Sequence, residues 1–247
     1  IAGDEEFGKR VERIRDQLVY QADSIDLKQL RELRQRQLEE KVADGRLNAK
    51  FSPGGLVDLE YSVQILQILH GRANAALRTP RIHAALDALV AEGTVDQEEA
   101  ERLVRAYRFF RRLINGLRML RGNAKDLFLP SVQSPEYLHL ARRMGYQERG
   151  GLSPAQRLHI ELESTGASVR TFVERHLGRD ALPGDPAGTV ADLVLAPETA
   201  PELLERVCAA GGLRDCRRAH ANIKRLVGAA HRDTALAELL ILAWDVL

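Results

Sequence analysis

The 247 residues carry 36 basic and 35 acidic side chains for a formal net charge of +1, with 45% apolar residues. That length and apolar content suffice for one large domain or two modest ones, and the balanced charge gives no overall pull toward nucleic acid or anionic lipid. The N-terminus is charged where a signal peptide needs its apolar core, and no apolar run reaches the ~18–20 residues of a membrane span, so a cytoplasmic protein without membrane attachment is expected.

Apolar residues recur at helical spacing nearly everywhere and convincing two-residue alternation is absent, so the expected fold is all-α: a multi-helix bundle with a smaller C-terminal helical appendage. In chain order the spacing predicts helices over Glu5–Tyr20, Asp26–Ala43, Leu56–His70, Pro80–Glu92, Asp96–Arg121, Pro135–Met144 and Pro154–Leu177. Ser134-Pro135 and Ser153-Pro154 are start signals, a capping hydroxyl followed by proline at the first helical position. These helices make a bundle domain over 1–178. Glycine, proline and aspartate mark a linker over 179–188, and a small subdomain, 189–247, follows with helices near Pro201–Ala210, Asp215–Ala230 and Thr234–Leu247. The chain starts at Ile1 and stops inside an apparent helix, which reads as a piece of a longer protein. Cys208 and Cys216 have no second pair and no histidine at metal spacing, and are read as reduced thiols.

The chemistry concentrates at Lys50-Phe51-Ser52-Pro53-Gly54-Gly55-Leu56-Val57-Asp58-Leu59-Glu60-Tyr61-Ser62-Val63-Gln64. A Pro-Gly-Gly turn starts a helix that is apolar except for two acids and amides. Asp58 and Glu60 lie roughly 200° apart around the axis and cannot share a face, whereas Glu60, Gln64 and Gln67 do. Leu59, Val63 and Leu66 form a second stripe, and Tyr61, Ile65, Ile68 and Leu69 nearly close the circle, the pattern of a central helix with neighbours on most sides. The polar strip either faces a cleft or meets partners inside: Glu60 on a buried arginine, Asp58 favoured by the helix N-terminus.

A second cluster lies on and just after the long helix. Arg111 and Arg118 share a side, and Arg121, Asn123 and Lys125 crowd its end. Arginine offers a planar donor fork suited to phosphate or carboxylate, but such charges also serve as solvated or dipole-complementing groups. A phosphate-binding Gly-x-x-x-x-Gly-Lys-Ser/Thr loop, a Rossmann glycine fingerprint and a His-Glu-x-x-His pair are all missing, and no Asp-x-Asp follows a Gly-Ser turn, so no metal-binding residues are assigned. Nucleic-acid binding through the Arg111–Arg121 helix is disfavoured by the neutral charge and few aromatics.

The run Lys50 to Gln64 resembles the Lys-x-Gly-x-Gly-Gly-Ile-x-Asp-Ile-Glu-Phe-x-x-Gln signature of the glutamine synthetase adenylyltransferase family. Ile1-Ala2-Gly3-Asp4, Leu33-Arg34-Gln35-Arg36, Tyr107 to Arg112, Leu129-Pro130, Leu140 to Tyr146 and Gly211 to Asp215 resemble further family segments. The chain departs from the pattern at Ser52, at Tyr61, and at Ile114-Asn115-Gly116-Leu117-Arg118, where the family reads Glu-His-Arg-Leu-Gln. The resemblance implies the helical domain that follows a nucleotidyltransferase domain and helps position ATP or the acceptor protein, with ATP and Mg2+ in the full-length enzyme and none expected on this chain alone. The implied partners are that nucleotidyltransferase domain, glutamine synthetase or another acceptor, and a PII-type signalling protein. Candidate residues are Glu60 as a base and Lys50, Gly54, Gly55, Asp58, Gln64, Arg111, Arg118, Arg121 and Lys125 for substrate or phosphate. A non-catalytic regulatory or interaction module is the alternative.

Overall fold

The computed structural model describes residues 3–21, 25–42, 46–178, 204–205, 207–208 and 215–227. Its helices are α1 (Glu5–Tyr20), α2 (Leu27–Lys41), α3 (Leu56–His70), α4 (Ile82–Glu92), α5 (Gln97–Arg121), α6 (Pro135–Arg143), α7 (Pro154–Leu177) and α8 (Cys216–Val227), with a 3-10 turn at Ala75–Leu77. The described residues are all-α; backbone pairing outside helices is confined to the isolated bridges Asn48 with Phe128 and Arg149 with Leu152. The linker expected over 179–188, and the helices expected near Pro201–Ala210 and Thr234–Leu247, lie wholly or largely outside the described residues.

Helix α5 has caps at both ends. Asp96 accepts from the Glu99 amide at 2.7 Å to open it, and Gly122 closes it in the left-handed conformation at φ 65°. Ser153 and Gln156 form a reciprocal capping box at the start of α7, with Pro154 in the first turn. α2 stops at Lys41 rather than Ala43, because Val42 has turned to extended backbone.

The core is built by α3, α5, α6 and α7, with α4 alongside α3 and α5. Leu59 and Val63 of α3, Leu113 and Leu117 of α5, Tyr137 and Leu140 of α6 and Leu158 and Val169 of α7 are wholly buried. Each such side chain contributes about 1.5–3 kcal/mol, so these helices supply most of the apolar stabilisation. Gly116 permits the α5–α6 approach, since a Cβ there would lie 2.9 Å from Leu140 Cδ1.

α1 and α2 are held differently. α1 buries only Gly8 and Tyr20; the Tyr20 ring lies against Gly71, while Arg78 bonds Asp16 of α1 at 3.3 Å and the Gly71 carbonyl at 2.8 Å. Its Phe7, Val11, Ile14 and Leu18 form a helical-spaced stripe that is between 41% and 73% exposed. α2 buries a single residue, and that residue is Arg34.

Candidate functional site

The segment ahead of α3 is organised by Asn48. Its side-chain oxygen accepts from the Lys50 and Phe51 amides at 3.0 and 3.1 Å, and its own amide donates to Ser52 Oγ at 2.8 Å. The Ser52 hydroxyl therefore has a structural partner. Backbone bonds from Ala49 to the Leu127 carbonyl and from Leu129 to the Leu47 carbonyl tie this segment to the stretch after α5.

Gly54 sits at φ 79°, a conformation glycine adopts freely, and an added Cβ would lie 2.7 Å from the Gly166 carbonyl oxygen of α7. Its amide donates to Asp58 Oδ2 at 2.8 Å. Asp58 Oδ1 accepts from Arg34 Nε at 2.7 Å, and Arg34 Nη2 donates to the Phe51 carbonyl at 2.7 Å. Both ionic side chains are 4% exposed. Burial pushes the Asp58 carboxyl up, against the Arg34 guanidinium and the Gly54 amide, which favour its charged form. The buried arginine anticipated as a partner for Glu60 thus exists, but it holds Asp58. Both Asp58 oxygens are taken by protein donors, so this candidate phosphate-site residue shapes the turn.

Glu60, one turn into α3, is half-buried and makes no hydrogen bond or ion pair among the described residues. Burial raises its carboxyl from the ordinary 4.5, with Lys50 and Arg111 opposing the shift. Lys50 Nζ lies 5.0 Å from the Phe51 ring centroid, and the exposed Arg111 guanidinium lies 5.9 Å from that of Tyr107. The fold therefore brings Lys50, Glu60 and Arg111 into electrostatic reach across α3 and α5. Gln64, on the Glu60 face, is exposed, whereas Gln67 is buried and donates to the carbonyls of Leu77 and Thr79.

The other candidate cations separate. Arg118 is exposed on α5 roughly 10.5 Å along the axis from Arg111 at 1.5 Å per residue. Arg121 is engaged, 2.6 Å from Glu136 and 3.4 Å from Asp126, and Lys125 is exposed beyond the Gly122 cap. No group of three or more histidine, cysteine, aspartate or glutamate residues able to hold a metal occurs among the described residues. No described helix is long and apolar enough to cross a membrane.

Arg34 carries no separate sequence signal of burial beyond its register: it follows Leu27 and Leu30 at the i+7 and i+4 positions of an apolar stripe. Helix α3 has neighbours on most sides, as its pattern implies, packing on α1, α4, α5 and α7, and is open along one. Tyr61 is 40% exposed, and with Ile65 and Ile68 it lines a cavity beneath α2. A second buried ionic site also goes unpredicted: Glu99, at the start of α5, accepts from Arg175 Nη1 and pairs with His176 Nε2 of α7, both at 2.9 Å.

A family model described as GlnD PII-uridylyltransferase matches residues 25–177. Curated relatives named bifunctional glutamine synthetase adenylyltransferase/adenylyl-removing enzyme include one from Streptomyces coelicolor, 34% identical over 70% of this chain and 17% of its own length. One from Leifsonia xyli is 31% identical over 99% of this chain and 24% of its own length, and one from Xanthomonas oryzae is 41% identical over 46% of this chain and 12% of its own. The chain thus spans no more than about a quarter of the length of these relatives. With the PII-uridylyltransferase model covering more than half of it, from just before α2 to the end of α7, this chain, all-α in its described residues, belongs to the glutamine synthetase adenylyltransferase family.

Proposed function

We propose that this chain is the helical domain of a glutamine synthetase adenylyltransferase-like nucleotidyltransferase, acting in the cytoplasm, and that the Lys50, Glu60 and Arg111 cluster faces the nucleotidyltransferase site of a separate domain. The observation that carries this reading is Glu60: a half-buried carboxylate without a hydrogen-bond partner among the described residues, flanked by two cations. A group that served only the fold would be paired, as Asp58 and Glu99 are.

In the parent reaction a tyrosine hydroxyl of glutamine synthetase or another acceptor forms a bond to the α-phosphorus of ATP while the α–β phosphoanhydride bond breaks and pyrophosphate leaves, or AMP is removed from that tyrosine, with a PII-type protein as a regulator. Mg2+, held by the separate domain, would offset the triphosphate charge. Lys50 and Arg111 supply cationic donors for phosphate oxygens. Glu60, made a stronger base than an exposed glutamate by burial, takes in its ionised form the proton that the acceptor hydroxyl releases. Gln64, one turn further along the same face, orients the substrate, and the Gly54-Gly55 turn fixes where Lys50 stands relative to Glu60.

The test is Glu60→Gln in the full-length protein. Loss of a general base costs about 10²–10⁴-fold in turnover, with the circular dichroism spectrum unchanged. Arg111→Gln raises the KM for ATP. Unchanged kinetics in both variants would leave the regulatory or interaction module as the better reading.

A further inference from the structure

We propose that the cavity between α2 and α3 binds a small amphipathic monocarboxylate, a single anionic head on a hydrocarbon body. The cavity measures about 250 Å³. Leu27 and Leu30 of α2, Ile65 and Ile68 of α3 and Val173 and Leu177 of α7 line it, with Gln64 among its polar lining. Packed helices ordinarily interdigitate their side chains, and apolar walls hold water poorly, so this space suits hydrocarbon. Its size falls just below the roughly 300–1,000 Å³ of pockets for drug-sized molecules, which sets a compact ligand. Nucleotides are too large and too polar for these walls.

The head follows from charge. Arg31 and Arg34 both line the cavity, against Asp58 as the one lining carboxylate. One positive charge is left over. Arg34, 4% exposed, commits Nε to Asp58 and Nη2 to Phe51, so the charge left unanswered at the wall is that of Arg31. A carboxylate answers it. An ammonium would be repelled, and an alcohol would leave the extra charge unanswered.

The site reports to the signature turn. Asp58, which pairs with Arg34 through one oxygen, holds the Gly54 amide with the other, so two hydrogen bonds link the Arg34 guanidinium at the cavity wall to the glycine. Binding stands on the cavity alone; any effect on AMP transfer rests on the functional reading above.

The probe is octanoate, titrated into the 247-residue chain by calorimetry, with octan-1-ol and octylammonium as controls. Expected are saturable binding of one octanoate, at least about tenfold weaker binding of the alcohol, and none of the amine. Leu30→Trp fills the cavity and abolishes binding. Arg31→Gln, which leaves the buried Arg34–Asp58 pair intact, removes the preference for octanoate over octanol. With octanoate bound, hydrogen exchange of the Gly54 amide slows. Binding that does not saturate, or that survives Leu30→Trp in a variant with an unaltered melting profile, is adventitious apolar association and overturns the proposal. Equal affinities for octanoate and octanol in the unmodified chain overturn it as well, whatever the folding of the variants, and unchanged Gly54 exchange removes the coupling.

Discussion

Arg34 and Asp58, 24 residues apart, form a buried ion pair at 2.7 Å, and the second Asp58 oxygen is bound to the backbone of the glycine turn. α2 has no other buried side chain, so this pair fixes the helix to the bundle. Removing one member leaves the other as an uncompensated buried charge, a loss of about 3–5 kcal/mol. Arg34→Met and Asp58→Leu should each lower the urea midpoint of the chain accordingly. The double variant should recover part of the loss, and a double-mutant cycle measures the coupling.

The turn itself can be tested at one carbon. Gly54→Ala forces a side chain into a positive φ and a Cβ to 2.7 Å from the Gly166 carbonyl, where backbone must give way. A loss of more than about 1 kcal/mol is expected, since the native conformation is incompatible with alanine. Gly166→Ala, whose added carbon meets the movable tip of Arg170 at 3.2 Å, should cost less. Thermal melts of the two variants rank them.

Glu60 predicts a pH dependence of defined sign. Its carboxyl is raised in the folded chain by burial, so the folded state binds the proton more tightly than the unfolded state, and ionising Glu60 opposes folding. Glu60→Gln should therefore be more stable than the unmodified chain at neutral pH. The difference should vanish as pH falls below 4.5, the ordinary glutamate value, where both states carry the neutral acid. Urea titrations across that range check this, and a constant difference at all pH values would contradict it.

Glu99 joins the first turn of α5 to the last turn of α7 through Arg175 and His176. Hydrogen bonds to charged groups contribute about 1.5–3 kcal/mol, so Glu99→Ala should cost an amount in that range. The loss should be local. Hydrogen exchange should quicken over residues 170–177 while the α5–α6 contact keeps its protection.

The fold was legible where local chemistry speaks. Ser134, Ser153 and the Gly54-Gly55 turn mark helix starts through their own preferences, and Leu59, Val63 and Leu66 mark the buried face of α3 by spacing alone. What was lost depends on partners distant in sequence. Arg34 looks like any solvated arginine on a polar helix until Asp58 meets it. Gln67 looks like part of the Glu60 strip until the carbonyls of Leu77 and Thr79 claim its amide. Tyr61, Ile65 and Ile68 have the periodicity of covered residues, and periodicity cannot tell a packed neighbour from a cavity. Within the candidate site, Lys50 and Glu60 stand in one short run of sequence, whereas Arg111 comes within their reach only because α5 packs on α3.

The outward ridge of Phe7, Val11, Ile14 and Leu18 has a practical consequence at the bench. Purified by itself, this polypeptide carries a greasy strip that sulfate and other salting-out ions make stickier rather than looser. It should be retained on phenyl resin and precipitate early in ammonium sulfate. Replacing Phe7 and Leu18, its two barest members, with serine should shorten that retention without disturbing the bundle behind it.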